Sequence, residues 1–389
     1  MQISEKVKNL EKSPIHEMTR LSKQYDDVAF LSWAKPSSGT PEHINQGAIE
    51  AIQKGLTSGY SPADGLPELR ELIAEKLNRE NNINAKSSEV LVTVGAIEGL
   101  AASVSTVINP GDEVILLTPT YSTHITQVKI ASGVPVLVPL KEDENYEPDF
   151  KAIADSITEK TKAIMLCNPN NPTGTVLSEE SLRKIAKIAK ENDLYIIIDE
   201  AYEYFVYDDK KHFSIASIKG MEDRVISVFT FTKSYAMTGW RIGYVHASEE
   251  LQKEIKKVHI SYAICVPVVS QYAAIAAIKG SQDCIVNFKN EYESARNLMC
   301  RRLDSLDEHL EYVKPEGSYL MFPKVLGKKA ENSFEFSKKL LEEAKISTTP
   351  GVAFGTNGEN HIRLSFCVPD DTINKAFDRM EIFFNNYKN

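Results

Sequence analysis

Between about residues 46 and 290, short apolar runs rich in β-branched residues alternate with longer segments whose apolar positions recur at helical spacing. LVTV (91–94) leads into the amphipathic stretch GAIEGLAASVSTVI (95–108). The turn NPGD (109–112) separates that stretch from EVILL (113–117). KAIMLC (162–167) predicts a buried strand and SEESLRKIAKIAKEN (178–192) a helix; LYIII (194–198) and VISVF (225–229) are again short and apolar. Apolar runs of this length separated by helices are strands covered on both faces. The pattern therefore predicts an α/β fold with a mostly parallel central sheet flanked by helices. Ligands of such sheets gather at the carboxyl ends of the strands.

After about residue 290 the pattern changes. A helical segment, ESARNLMCRRLDSLDEHL (293–310), precedes the short strand-like pieces YLMF and HIRLSF and a last helix, which reads as a smaller α+β domain. The expected organisation is an N-terminal segment (1–45) packing with the small domain, a large ligand-binding domain (46–290) and a small C-terminal domain (291–389). A chain of 389 residues exceeds the usual size of a single core, which fits more than one domain.

Composition narrows the possible partners. Apolar residues make up 42% and charged residues 25%, as in a globular enzyme, and the net charge of -9 argues against nucleic acid or an anionic membrane surface as partner. The lysines between Lys253 and Lys257 have acidic neighbours and read as a solvated helix face. Cys167, Cys265, Cys284, Cys300 and Cys367 lack paired spacing, so neither a metal site nor a disulfide framework is expected. The first residues, MQISEKVKNLEKS, lack the apolar core of a signal peptide, and no apolar run approaches the ~20 residues of a membrane span. Reduced thiols and a cytoplasmic location follow as expectations.

The chemistry-bearing residues stand at the predicted strand ends. Lys233 follows VISVFTFT, with Thr230 and Thr232 beside it and Arg241 eight residues on. A lysine after a strand is ordinarily a surface residue. An amine that must attack a carbonyl carbon needs its proton affinity lowered, which burial and a nearby cation supply. Arg241 keeps its charge and suits a fixed anion such as a phosphate. Asp199 ends an apolar run; it either caps a turn, pairs with an arginine or holds a heteroaromatic nitrogen protonated. Asn171, in NPNNPTG after KAIMLC, is either a turn residue or a neutral hydrogen-bonding partner for a ligand oxygen. Gly95-Ala96-Ile97 opens a helix, whose free N–H groups bind phosphate. Tyr121, in PTYSTH, is a rim aromatic or a stacking platform. Arg363 interrupts the strand HIRLSF; it is an edge residue with its head in water or a bidentate carboxylate clamp.

Taken in order, YSPADGLPELR (60–70), VTVGAIEGL (92–100), NPGDEVILLTPTY (109–121), NPNNPTG (168–174), DEAY (199–202), TFTKSYAMTGWRIGY (230–244), PEGSYLMF (315–322) and TPGVAFG with HIRLSF (349–366) resemble the class I/II aminotransferases, enzymes of pyridoxal-phosphate (PLP) fold type I. The resemblance spans nearly the whole chain. It implies a PLP-dependent aminotransferase that moves an amino group between an amino acid and a 2-oxo acid through a Lys233 Schiff base and pyridoxamine phosphate. Lys233 would also shuttle the substrate proton. Asp199 would pair with the ring nitrogen, and Tyr202 and Asn171 with the phenolic oxygen. Tyr121 would stack on the ring. Ala96, Ile97, Thr230 and Arg241 would hold the phosphate, joined by Tyr60 from the other subunit of a homodimer with shared sites. Arg363 would bind the substrate α-carboxylate, with Asn171, Ala34, Trp33 and His16 nearby.

Two departures concern the pattern around the cofactor and the substrate. Threonines replace the usual serines before Lys233, which keeps the hydroxyls. Ala34-Lys35-Pro36, preceded by Trp33, stands where the family has glycine-acid-proline. Some relatives read a side-chain carboxylate with an arginine from the partner subunit. The corresponding segment Ser261–Pro267 has none, which predicts no strong preference for aspartate over neutral amino acids unless Lys35 or a protonated His16 substitutes. The same lysine and aspartate would also serve a lyase, a cyclising synthase or an epimerase, with His16, Trp33 and Tyr262 among the residues deciding the outcome. A PLP-binding sensor domain of a transcription regulator would need an added DNA-binding domain and a basic helix, and the chain offers neither.

Overall fold

The computed structural model describes residues 3–8, 10, 12–327 and 329–386. Its centre is an eight-stranded sheet in the order Val90–Thr93, Gly243–His246, Val225–Thr230, Tyr195–Asp199, Thr161–Cys167, Glu113–Thr118, Val134–Lys141, Glu147–Pro148. The five strands from Val225–Thr230 to Val134–Lys141 run parallel. Gly243–His246 is antiparallel to both of its neighbours, and Glu147–Pro148 is antiparallel to Val134–Lys141.

The central strands are uniformly apolar because helices cover both faces. Ile164, Ile196, Ile197, Ile198 and Val228 have no exposed surface. Burying each such side chain contributes about 1.5–3 kcal/mol relative to leaving it in water. The helix Glu179–Glu191 puts Leu182, Ile185 and Ala186 on the sheet and its lysines and glutamates outward, with Ser178 capping its first turn. On the other face Gly95–Val107 lies against the sheet through Gly99 and Leu100. The lysines at 253, 256 and 257 pair with Glu249, Asp64 and Glu254 at the surface.

The strand Val134–Lys141 escapes the apolar-run pattern because it carries Pro135 and Pro139. Its outer side is paired only at Leu140 and Lys141, so the missing N–H donors cost little there.

A second core forms around the C-terminal helices Ser333–Ala344 and Asp370–Asn386. It includes Ala29 and Leu31 from the N-terminal segment. Ala29–Phe30 pairs in parallel with Ile346–Ser347, and Ser22 Oγ lies 2.7 Å from Ser347 Oγ. Ile362–Ser365 is the middle strand of a three-stranded antiparallel sheet, between Leu320–Met321 and Thr349–Pro350. The two cores are joined by one continuous helix, Asp283–Asp304, inside which the expected boundary at 290/291 falls. On that helix Arg296 is fully buried; it donates to both carboxylate oxygens of Asp208 (2.7 and 2.9 Å) and to Pro315 O (3.1 Å). Among the described residues no helix is long and apolar enough to cross a membrane, and no group of three or more His, Cys, Asp or Glu is placed to hold a metal ion.

Candidate active site

The parallel strands end on a cavity of about 360 Å³. Lys233, Asp199, Arg241, Arg363, Asn171 and Tyr202 line it. So do Tyr121, Ala96, Ile97 and Thr230 on the sheet side, and Ala34, Trp33 and His16 from the N-terminal segment.

Lys233 owes its position to the end of the Val225–Thr230 strand. Thr230 caps the single helical turn Phe231–Ser234: its Oγ1 accepts from Thr232 N (3.1 Å) and donates to Ile242 O (3.2 Å). That turn aims Lys233 into the cavity, where its Nζ donates to Ala34 O (2.7 Å) and lies 5.7 and 5.6 Å from the ring centres of Tyr202 and Tyr319. Burial lowers its pKa to about 8, and Arg363 and Arg241 push the same way against the opposing influence of Cys367 and Asp199.

Asp199 ends the neighbouring strand and is 7% exposed. Its Oδ1 accepts from Ala201 N (3.0 Å) and its Oδ2 from His124 Nε2 (3.2 Å). A carboxylate oxygen accepts, so His124 donates to it from Nε2, while its Nδ1 lies 3.0 Å from Thr120 Oγ1. Both carboxylate oxygens keep a lone pair for a further donor. Tyr202 packs edge-on against Tyr319, and burial raises its hydroxyl pKa well above the ordinary value, so it stays a neutral donor.

Arg363 is not an edge residue with its head in water. It is 2% exposed in the middle strand of its sheet. Its Nη2 donates to Ser32 O (2.8 Å) and Thr349 Oγ1 (3.2 Å), and its Nη1 donates to Asn171 Oδ1 (3.1 Å). Its Nε is buried without a partner. An unmet buried donor is costly, and an arriving carboxylate would satisfy it. Because Arg363 occupies the Asn171 oxygen, the amide NH2 of Asn171 is the group left to donate.

The opposite end of the cavity suits an anion. Gly95, with φ +71°, opens the helix Gly95–Val107, whose first N–H groups have no partner within the helix. A methyl group at Gly95 would stand 2.5 Å from Arg241 Nη2, so only glycine lets the guanidinium lie against this helix start. Arg241 itself is left-handed, φ +52°, and is steadied by its bond to Thr238 O (3.0 Å). A helix start, an arginine, a buried carboxylate and a lysine amine of lowered pKa around one cavity fit a phosphorylated heteroaromatic aldehyde.

Tyr60 does not join the cavity within one chain; it is 84% exposed. His124, Tyr319, Ser32 and Thr349 escaped sequence reasoning. His124 left a faint signal, four residues after Thr120 at a helix start; the others act through contacts between segments far apart in sequence.

Fold and site together define a fold type I transferase. The chain belongs to the aminotransferase class I and II family, whose model matches residues 28–380, and it is an enzyme of amino-group transfer. It is 39% identical over 384 residues to the aspartate aminotransferase of Pyrococcus abyssi, covering 98% of each chain. It is 37% identical to aromatic-amino-acid aminotransferase 2 of Thermococcus litoralis, again over 98% of each chain. The solved structure of aspartate aminotransferase from Thermus thermophilus with maleate superposes with a TM-score of 0.92 at 31% identity, covering 98% of this chain and 99% of that one.

Proposed function

We propose that this aminotransferase uses pyridoxal 5′-phosphate held on Lys233 to exchange an amino group between an amino acid and a 2-oxo acid. The observation carrying this reading is the convergence of Lys233, Asp199, Arg241 and Arg363, from four separate elements, on one cavity. When bound, the cofactor supplies a conjugated ring that stores the electrons left when a substrate loses its Cα proton.

The chain's own residues do the rest. Lys233 would hold the cofactor's aldehyde end through its Nζ and would serve as the base that moves the substrate's Cα proton. Asp199, fixed by His124 and Ala201 N, keeps the ring nitrogen protonated. The Asn171 amide and Tyr202 hydroxyl donate to the ring oxygen, and Tyr121 covers the ring face. Arg241, the Ala96 and Ile97 N–H groups and Thr230 hold the phosphate. Arg363 receives the α-carboxylate on its unmet Nε. Trp33, Ala34 and His16 form the wall that meets the side chain. The exposure of Tyr60 supports a homodimer in which each chain completes its partner's phosphate site. Five unpaired cysteines fit a cytoplasmic enzyme.

Borohydride reduction of the cofactor-loaded enzyme followed by peptide mapping tests the assignment. The adduct is expected on Lys233; an adduct on another lysine would overturn it.

A further inference from the structure

We propose that Lys76 and Glu203 are positioning residues for Tyr202, acting from behind the cavity wall. The proposal rests on the reading of Tyr202 as a donor to the cofactor's ring oxygen. Lys76 lies on the helix Pro67–Glu80, and neither residue lines the cavity. Both are nonetheless withdrawn from water: Lys76 is 5% exposed, and the Glu203 side chain 7%. Lys76 Nζ donates to Glu203 Oε2 (2.5 Å) and to Asn81 Oδ1 (2.8 Å). Asn81 Nδ2 donates to the same carboxylate oxygen (2.8 Å), which closes a ring of three side chains.

A helix on the outside of a domain ordinarily turns its lysines to water. Burying an ion pair costs desolvation that the attraction hardly repays, so apolar side chains would serve stability as well. A fully bonded polar ring instead fixes one arrangement of the segments that it joins. Those segments are the end of the Pro67–Glu80 helix and the turn that carries Tyr202.

The chain leaves the strand Tyr195–Asp199 and turns at once, with Glu203 N donating to Glu200 O (3.1 Å) and Phe205 N to Tyr202 O (2.9 Å). Tyr202 reaches the cavity from this turn, while the next residue, Glu203, reaches Lys76. Tyr204 adds a second tie to the same helix: its Oη donates to Glu80 Oε2 (2.5 Å), and its ring centre lies 5.0 Å from Lys76 Nζ. A hydroxyl hydrogen bond survives only about half an ångström of drift. An anchor one residue from Tyr202 therefore decides whether its hydroxyl meets the ring oxygen. The pair carries no net charge, so its effect on the cavity is positional.

Lys76→Met alone would strand a buried carboxylate, so the test replaces Lys76 and Glu203 together by Met, which keeps volume and leaves no unpaired charge; denaturant melts should show a folded protein. The quantity to read is the pH midpoint of the visible-absorbance transition of the cofactor-loaded enzyme. A donor to the ring oxygen favours the form of the bound cofactor that has lost a proton, so losing that donor raises the midpoint. Tyr202→Phe should raise it by about one pH unit, and the Met pair by about half a unit or more, the scale of a lost or weakened hydrogen bond to a charged group. Added to Tyr202→Phe, the Met pair should raise it no further. Glu203→Gln, which keeps an acceptor oxygen for Lys76 and Asn81, should stay near the wild-type midpoint. An unmoved midpoint in the Met pair beside a shift in Tyr202→Phe would make the pair merely structural and overturn the proposal. So would a Met-pair shift that adds to that of Tyr202→Phe, or a Glu203→Gln shift as large as that of the Met pair. If Tyr202→Phe itself leaves the midpoint in place, the reading of Tyr202 fails, and the proposal falls with it.

Discussion

A lysine amine attacks a carbonyl carbon only after shedding its proton, and Lys233 does so at about 8 because burial disfavours the ammonium. The sign is fixed: the neutral, reactive fraction grows as pH rises through that value. Capture of pyridoxal phosphate by the apoenzyme should therefore speed up with pH and level off above a midpoint near 8. Stopped-flow absorbance would show it, and a midpoint above 10 would contradict the burial. The same shift means that the unfolded chain holds this proton more tightly than the folded one. The buried ammonium costs stability below about 8, and that cost vanishes as pH rises towards the unfolded value of roughly 10.4. Lys233→Met should accordingly stabilise the apoenzyme more at pH 7 than at pH 10 in urea melts. Asp199 invites a separate test. Asp199→Asn keeps the shape and the contact with Ala201 N but removes the charge. It should retain cofactor and lose turnover on the order of 10²-fold or more, the scale of losing one preorganised electrostatic partner. Near-normal single-turnover rates would show that the ring nitrogen is held some other way.

At the scale of elements, the site depends on how closely strand ends and helix starts approach. Gly243 begins the strand beside Thr230, and a methyl group there would stand 2.6 Å from Phe229 O, 2.8 Å from Ala96 N and 3.0 Å from Gly95 C. All three are backbone atoms that cannot turn aside. Gly243→Ala should destabilise the apoenzyme by about 1–3 kcal/mol, the usual cost of overpacking, and weaken phosphate binding by displacing the Gly95–Val107 helix start. Gly239→Ala, where no atom lies within 4 Å of the added methyl, is the control and should change neither. Equal effects of the two substitutions in denaturant melts and cofactor titrations would contradict this account. The strand ends were legible because covered parallel strands must be continuously apolar, so the polar residues that follow each run mark the functional edge; Asp199 directly ends its run, and Lys233 and Asn171 lie in the short segments after theirs. The pinning of residues 29–36 was not legible, because its partners Thr349, Arg363 and Cys367 lie more than 300 positions away and act mostly on main-chain carbonyls, which leave no mark in the side-chain pattern.

At the scale of the molecule, the proposed homodimer makes Tyr60 decisive. It is 84% exposed on one chain, whereas the cavity it is proposed to serve lies elsewhere. Chains carrying Lys233→Ala and chains carrying Tyr60→Ala, unfolded together and refolded, should form hybrids in which one site holds both lesions and the other none. Assayed at limiting cofactor, the mixture should recover activity that neither parent shows. If differently tagged chains prove that hybrids formed and no activity returns, Tyr60 does not act across the interface.

The order of apolar runs and breaks was enough to determine the fold class, and the motifs at the strand ends carried the resemblance to the family, whose implied site residues line the cavity apart from Tyr60. Those properties follow from local periodicity and from chemistry that needs particular side chains at particular strand ends. Only the tertiary structure decided that Arg363 is buried with one unmet donor and that His124 orients Asp199. Each of these depends on contacts between segments that are remote in the chain. The energy of such contacts comes from burial and from the geometry of paired donors and acceptors, and neither is encoded in the pattern of any single segment.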